Sequence, residues 1–500
     1  MYLNLFTTIT VFALQTVINF FLTPYILRVL GDEAYGFLAL ANSFVNYGFI
    51  LTLVINSVAS RFIASAYHKG NFTKASKFYS SVLMANLIFS VIVAFISLIF
   101  LLKIQSVINI SNALLDDVRA TMAIYFINFS IGLFNAIFSV HAFIKNQMYL
   151  ISIRNAISTT IYAGCVLWLF WAFEAMIYYT AIAALISSIF VFFSALVLNR
   201  KFGLNLIFSP KYFRINFIKV LARSGLFNSL NMLSQVLLSG ASLLLVNIFI
   251  NALSMGTLAI SRSVIMIVES FVITTAVAWD PRLVQIHANA KPLKDEAILA
   301  IKSVSFIALP LIATFGVLAD EFYRLWLPFK SSDEIDYIYE LVLISLLPSI
   351  IFASSRPLIS TYLITDRLKR PALVTLFMAI CVFCVQIIGL AFFNFGLKEI
   401  VMTITIGISL KITLFDVANA GVNLGLKFST FYPIYFKSLG VFVLIIVIIY
   451  PFSNILNISN WLEFLLYAVA ISTLGYLIAF MIIFTKEQRA IFIGKIRGRF

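Results

Sequence analysis

The sequence predicts an all-α integral membrane protein of about 14 transmembrane helices, and three observations carry that prediction. Hydrophobic residues make up 62% of the 500 and charged residues only 11%. Mean hydropathy is +1.04, a balance foreign to water-soluble domains of this size. Apolar runs of about 20 residues, the length that crosses a hydrocarbon core, recur from one end of the chain to the other. The basic residues, finally, concentrate in every second connection.

The runs fall at 5–28, 36–60, 79–102, 120–141, 155–172, 176–198, 224–250, 255–279, 303–320, 338–363, 372–393, 400–421, 438–456 and 461–484. The first has no basic leader and reads as a retained span rather than a signal peptide. With the N-terminus inside, the inner segments hold 26 of the 35 Lys and Arg and the outer ones 6, with Arg262, Arg356 and Lys411 left within spans. Basic residues favour the cytoplasmic side, so both termini are expected there. The net charge of +15 is thereby a topology signal and not a nucleic-acid footprint.

Residues 199–223, NRKFGLNLIFSPKYFRINFIKVLAR, form the longest inner connection, whose second part alternates basic with apolar residues. That pattern predicts an interfacial helix on the anionic leaflet. The basic tail 485–500 reads the same way. The connection separates an N-lobe (1–198) from a C-lobe (224–421), and two further spans (422–484) follow. At an offset of 220, Gln15 faces Gln235, Tyr35-Gly36 faces Met255-Gly256, and Asn42 faces Arg262. Spans one and seven start on the same side. The halves are therefore expected to be parallel repeats, two six-helix lobes about a pseudo-two-fold axis with a central cavity between them.

The eighth span, Met255–Asp280, is the most informative stretch because it carries Arg262 and Glu269 in its interior. Charges inside a span are costly and face a bundle interior or water. These two share a helix face but lie about 10 Å apart along the axis, so each is expected to meet another helix, water or a ligand. Arg356 sits beside Pro357, where a kink and freed carbonyls are expected. Lys411 and Asp416 are five apart, a poor helical pair, so at least one is expected to seek a partner elsewhere; Glu269 lies at the depth of Lys411 and is a candidate. Arg262, Arg356, Lys411 and Asn42 are the candidate substrate-binding residues. Glu269 and Asp416 are candidates for ion coupling or structural pairing. The basic interior suits an anionic solute, above all phosphate or pyrophosphate.

Other features read as structural. Cys381 and Cys384 form a CxxC inside an apolar run with no second ligand pair, which favours packing over metal or redox chemistry. His141, at the inner end of span four, reads as interfacial. The acidic outer residues Asp320, Glu321, Asp333, Glu334 and Asp336 read as a solvated face. No P-loop, HExxH or GxSxG occurs, and no cofactor or metal site is indicated, so an enzyme is not expected.

The opening, FLTPYILRVLG at 21–31 followed by DEAYG at 32–36, resembles the polysaccharide transporter family of the multidrug/oligosaccharidyl-lipid/polysaccharide (MOP) exporter superfamily. SVASRFIASAY at the end of span two and the loop HKGNFTKA are also similar to that family. The resemblance implies a flippase for a lipid-linked oligosaccharide repeat unit, usually on undecaprenyl pyrophosphate. It implies alternating access in a bacterial inner membrane, in service of surface polysaccharide such as O-antigen, capsule or exopolysaccharide. It also implies a monomer that engages membrane lipids and works beside a glycan polymerase and chain-length regulator. A basic residue in the eighth span holds the pyrophosphate in such relatives, and Arg262 matches that placement. Peptidoglycan-precursor flippases carry charges in the first span, where this chain has only Gln15 and Asn19. The alternatives are a cation antiporter of the same superfamily and a membrane glycan polymerase or transferase, though the latter usually carries a larger outer loop than residues 320–337 supply.

Overall fold

A computed structural model of the protein describes residues 2–145, 147–202, 206–289, 292–365, 367–453 and 458–490. Among them, all regular structure is helical. Among the described residues, thirteen helices are long and apolar enough to cross a membrane, fourteen when the bent second helix counts as one span. The chain is thus a multi-pass membrane protein. It divides into two compact units, Met1–Ala259 and Ile260–Phe500.

The first unit opens with α1 (Tyr2–Leu30) and α2 (Asp32–His68), joined through Gly31 at φ 83°. A positive φ costs glycine little, so the chain reverses there within one residue. α2 bends by 61° between Asp32–Ile50 and Thr52–His68. Next come α3 (Phe72–Leu102), the single turn α4 (Ile104–Val107) and α5 (Leu115–Phe138). The turn α6 (Val140–Ile144), then α7 (Met148–Ala172) and α8 (Ile177–Phe202), follow. α3 shows how lipid inverts the usual pattern. Its buried side carries Ser76, Ser80, Ser81, Asn86, Ser90 and Ser97, whereas Val91, Phe95, Ile96 and Leu102 are exposed. Small and polar side chains allow close helix contact, and bulky apolar ones face acyl chains.

Among the described residues of 199–223 no separate interfacial helix forms; the helical second part is the start of the next span. α8 runs to Phe202, a short 3₁₀ turn occupies Pro210–Tyr212, and α9 (Ile215–Gln235) already begins at Ile215. What the alternating pattern missed is a partner for the linker backbone. Ser80 Oγ donates to Ile207 O (3.1 Å) and accepts from Ser209 N (3.1 Å), while Ser76 and Ser81 accept from the backbone of Ile207 and Arg214 at 3.1 Å each. Three serines of α3 thus hold the connection in an extended course and satisfy its polar groups.

α9 continues through a π-helical turn, Val236–Gly240, into α10 (Ala241–Phe249), and α11 (Ala252–Val277) follows. Within this unit the start of α11 lies against the start of α2. A Cβ on Gly36 would sit 2.8 Å from Gly256 N, and one on Gly256 would strike the Asp32 carbonyl oxygen. These are the two glycines that the 220-residue offset matched.

The second unit takes most of α11 and then α12 (Asp280–Ala288), α13 (Lys294–Val317) and α14 (Ala319–Trp326). After them come α15 (Ser332–Ala353), α16 (Arg356–Ile364) and α17 (Lys369–Phe392). α18 (Leu397–Leu410) passes through a second π-helical stretch, Lys411–Asp416, into α19 (Val417–Asn423). α20 (Tyr432–Ser453) and α21 (Trp461–Ile483) close the unit. These last two pack on α13. Gly475 lies against Pro310 and Ile445, and Tyr476 donates its hydroxyl to Ile307 O at 2.9 Å beside that proline. The basic tail is described only to residue 490, so most of it lies outside the described residues.

Candidate functional site

In the first unit three of the intramembrane amides, Gln15, Asn56 and Asn86, are helix glue. Asn56 and Asn86 exchange side-chain hydrogen bonds at 3.1 and 3.2 Å, and Asn86 Nδ2 also donates to Leu133 O at 3.0 Å. Gln15 Nε2 donates to Thr159 Oγ1 at 3.2 Å. Asn42 differs: it is exposed, with one amide proton on Leu38 O of its own helix at 3.1 Å. Asn46, one turn on, is exposed as well, so α2 presents two amides together. His141 is buried rather than interfacial. It packs edge-on against Tyr79, with Nδ1 3.3 Å from Phe138 O.

The candidate charges all lie in the second unit. Arg262 and Glu269 occupy one face of α11, both half-buried, and Arg262 is the charge that acts on Glu269. The expected break beside Pro357 is present. α15 ends at Ala353, Ser354 and Ser355 form the turn, and Arg356 opens α16. There the guanidinium lies over the Phe352 ring at 5.8 Å, and Nη1 is buried with no hydrogen-bond partner among the described residues. Asp280 Oδ1 is buried and unsatisfied too, and Asp280 is the carboxylate whose charge Arg356 feels. Two orphaned groups of opposite sign in one unit mark a place that a polar ligand or water would complete.

Lys411 and Asp416 correct the expectation from spacing. They pair directly at 2.8 Å, with side-chain exposures of 17% and 2%. In an α-helix residues five apart point about 140° away from each other, at about 100° per residue. Residues 411–416 are π-helical, however, and there i and i+5 are one turn apart. Tertiary contacts hold that wider turn. Tyr432 donates to Thr413 O and Tyr362 to Asp416 O, each at 2.7 Å, and Thr413 Oγ1 meets the Tyr435 hydroxyl at 2.7 Å. Lys411 is therefore committed to Asp416 and not to Glu269. No sequence signal marks a π-turn; the aromatic cluster that imposes it comes from two other helices, α16 and α20.

The acidic residues between 320 and 336 are also less free than expected. Arg324 bridges Asp320 (2.9 Å) and Asp336 (2.5 Å), Lys330 reaches Glu334 (3.4 Å), and Glu334 caps α15 through Ser331. Glu321 keeps one buried, unpartnered oxygen, and burial pushes its carboxyl above the ordinary range.

No family model matches the chain. An uncharacterized membrane protein of Bacillus subtilis (strain 168), EpsK, is 26% identical over 519 residues, spanning 99% of this chain and 98% of its own. A solved structure of the lipid II flippase MurJ in an inward closed conformation superposes with a TM-score of 0.70 at 16% identity, covering 96% of this chain and 98% of that one. An inward-facing multidrug resistance MATE transporter of the MOP superfamily superposes at 0.68 with 13% identity, over 84% of this chain and 98% of its own. The chain shares the fold of these two transporters. Coverage separates these two neighbours: the flippase matches nearly the whole chain, and the MATE transporter leaves about a sixth unmatched.

Proposed function

We propose that the protein is a flippase that moves a lipid-linked oligosaccharide, carried on a pyrophosphate such as undecaprenyl pyrophosphate, across a bacterial inner membrane by alternating access. Both termini would be cytoplasmic, and the product would feed surface polysaccharide assembly beside a polymerase. The observation that carries this reading is the near-complete superposition on a lipid-intermediate flippase, joined to cationic side chains held inside the second unit's spans. Arg262 and Arg356 would take the phosphates. Arg356 is the better placed for it, since its Nη1 has a hydrogen bond still to make. Lys411, already neutralised by Asp416, would contribute less. Asn42, with Asn46, offers amides suited to sugar hydroxyls.

The test is a deletion in the source bacterium, scored for surface glycan, lipid-linked intermediates and sensitivity to cationic drugs. Loss of surface glycan with lipid-linked units retained or accumulating is expected. Complementation by Arg356→Glu or Arg262→Glu, expressed at wild-type level, should fail. Normal glycan with new drug sensitivity would assign the chain to cation antiport instead.

A further inference from the structure

We propose that the first unit carries an anion site of its own where α5, α6 and α7 meet, and that Arg154 takes the phosphate of a membrane-borne lipid there. Among the described residues Arg154 is the one buried cation of this unit, 8% exposed. Its one hydrogen bond among them is long, from Nη2 to Ser139 Oγ at 3.4 Å. That hydroxyl donates its own proton to Asn135 O at 2.8 Å, so it offers the guanidinium a lone pair and no charge. Nε is sealed in with no partner. The sequence leaves its own unit no carboxylate to supply. The five acids of residues 1–259 are Asp32 and Glu33 at the start of α2, Asp116 and Asp117 at the start of α5, and Glu174 after α7. Along α5 and α7 they stand about 30 Å from the level of Ser139 and Arg154, at 1.5 Å per residue. Glu33 accepts from Ser111 N at 3.4 Å, so α2 begins at that same distant end.

A desolvated charge without a counter-ion is costly. Arginine cannot escape that cost by losing its proton. A charge kept inside a span on these terms is a mark of function, and an anion is what relieves this one. The free N–H groups of a planar guanidinium match the oxygens of a phosphate. Two amides extend the site along α5. Asn135 lies one turn from Ser139 on the same face, and Asn128 two turns beyond that; each has a buried Oδ1 without a partner among the described residues. These oxygens accept from hydroxyls on whatever the phosphate carries. Apolar surface runs alongside, since Phe143 on α6 and Ile153 and Ile157 on α7 are exposed. A free phosphate needs no such flank, whereas a lipid lays its chains on it. By the basic-residue bias this is the end expected to face the cytoplasmic leaflet. Arg262, Arg356 and Lys411 all belong to the second unit, and the inference holds whichever solute the chain moves.

The experiment is thermal unfolding of the purified full-length protein in detergent, titrated with farnesyl pyrophosphate, phosphatidylglycerol or inorganic phosphate. At least one of the two lipids should raise Tm. Arg154→Met should weaken that response about tenfold or more, the size of one charge-assisted hydrogen bond, and Arg154→Lys should keep part of it. Without ligand, Arg154→Met should melt no lower than the wild type, because it removes a charge that has no partner to lose. The lipid with the larger response names the source: farnesyl pyrophosphate stands for a carried isoprenoid, phosphatidylglycerol for the bilayer itself. No response to either lipid overturns the site. So does a response unchanged in Arg154→Met, which leaves phosphate binding to the second unit's cations. A ligand-free Tm well below wild type in both variants makes the arginine a packing element and overturns it too. An equal response to inorganic phosphate, lost in Arg154→Met, keeps the anion site but overturns the lipid as its source.

Discussion

Replacing Asp416 by Ala should unfold the second unit far more readily than replacing Asp416 and Lys411 together. Asp416 is 2% exposed and Lys411 17%, and they pair at 2.8 Å. Removing one partner of a buried pair leaves the other charge desolvated and alone, a cost of about 3–5 kcal/mol, whereas an apolar pair of similar volume is close to neutral. Asp416→Ala should therefore lose about 3–5 kcal/mol and Lys411→Met/Asp416→Leu about 1 kcal/mol or less, leaving a coupling energy of most of the difference. Reversible unfolding of the purified protein in mixed micelles measures all three terms. A loss below about 1 kcal/mol for Asp416→Ala, or a double variant no more stable than the single one, would refute the reasoning, because the charges would then be hydrated rather than paired across a π-turn. Glycan export in the double variant gives the second reading. Export restored along with stability makes the pair structural. Stability without export assigns the pair to the transport cycle.

Two further predictions test the packing and the acidic segment 320–336. Gly256→Val should abolish accumulation of folded protein, since even a Cβ there meets the Asp32 carbonyl; Asn42→Ala, an exposed position where the substitution only shortens the side chain, should accumulate normally, and immunoblotting of membranes compares them. Glu321→Gln should raise Tm at neutral pH. Burial raises this carboxyl in the folded state, so its ionisation opposes folding above the unfolded value of 4.5, and the cost is relieved as pH falls through the folded value. The advantage of the variant should shrink toward zero below pH 4.5, and an advantage independent of pH would show that burial of charge is not its cause.

Span number and helical class were legible in the sequence because the bilayer imposes one rule everywhere: about 20 apolar residues, with every backbone group satisfied within a helix. The break at Arg356 was legible for a similarly local reason, since Pro357 cannot donate to the preceding turn. Charges in the middle of apolar runs, such as Arg262 and Asp416, were legible too, as they stand out against the apolar background, but Asp117, Arg154 and Lys302, which the structure also buries, fell at the edges of the runs and were missed. Which charges pair was not legible. The i,i+5 match of Lys411 with Asp416 exists only because Tyr362, Tyr432 and Tyr435 hold residues 411–416 in a wider turn. The course of the 206–214 linker likewise depends on three serines more than a hundred residues earlier. Sequence by itself determined what is local, the crossing of the membrane and the charges in the middle of its apolar runs. Tertiary structure decided the partners, because a polar group in an apolar medium takes whichever donor or acceptor folding brings within 3 Å, and that neighbour is set by helix packing and not by spacing along the chain.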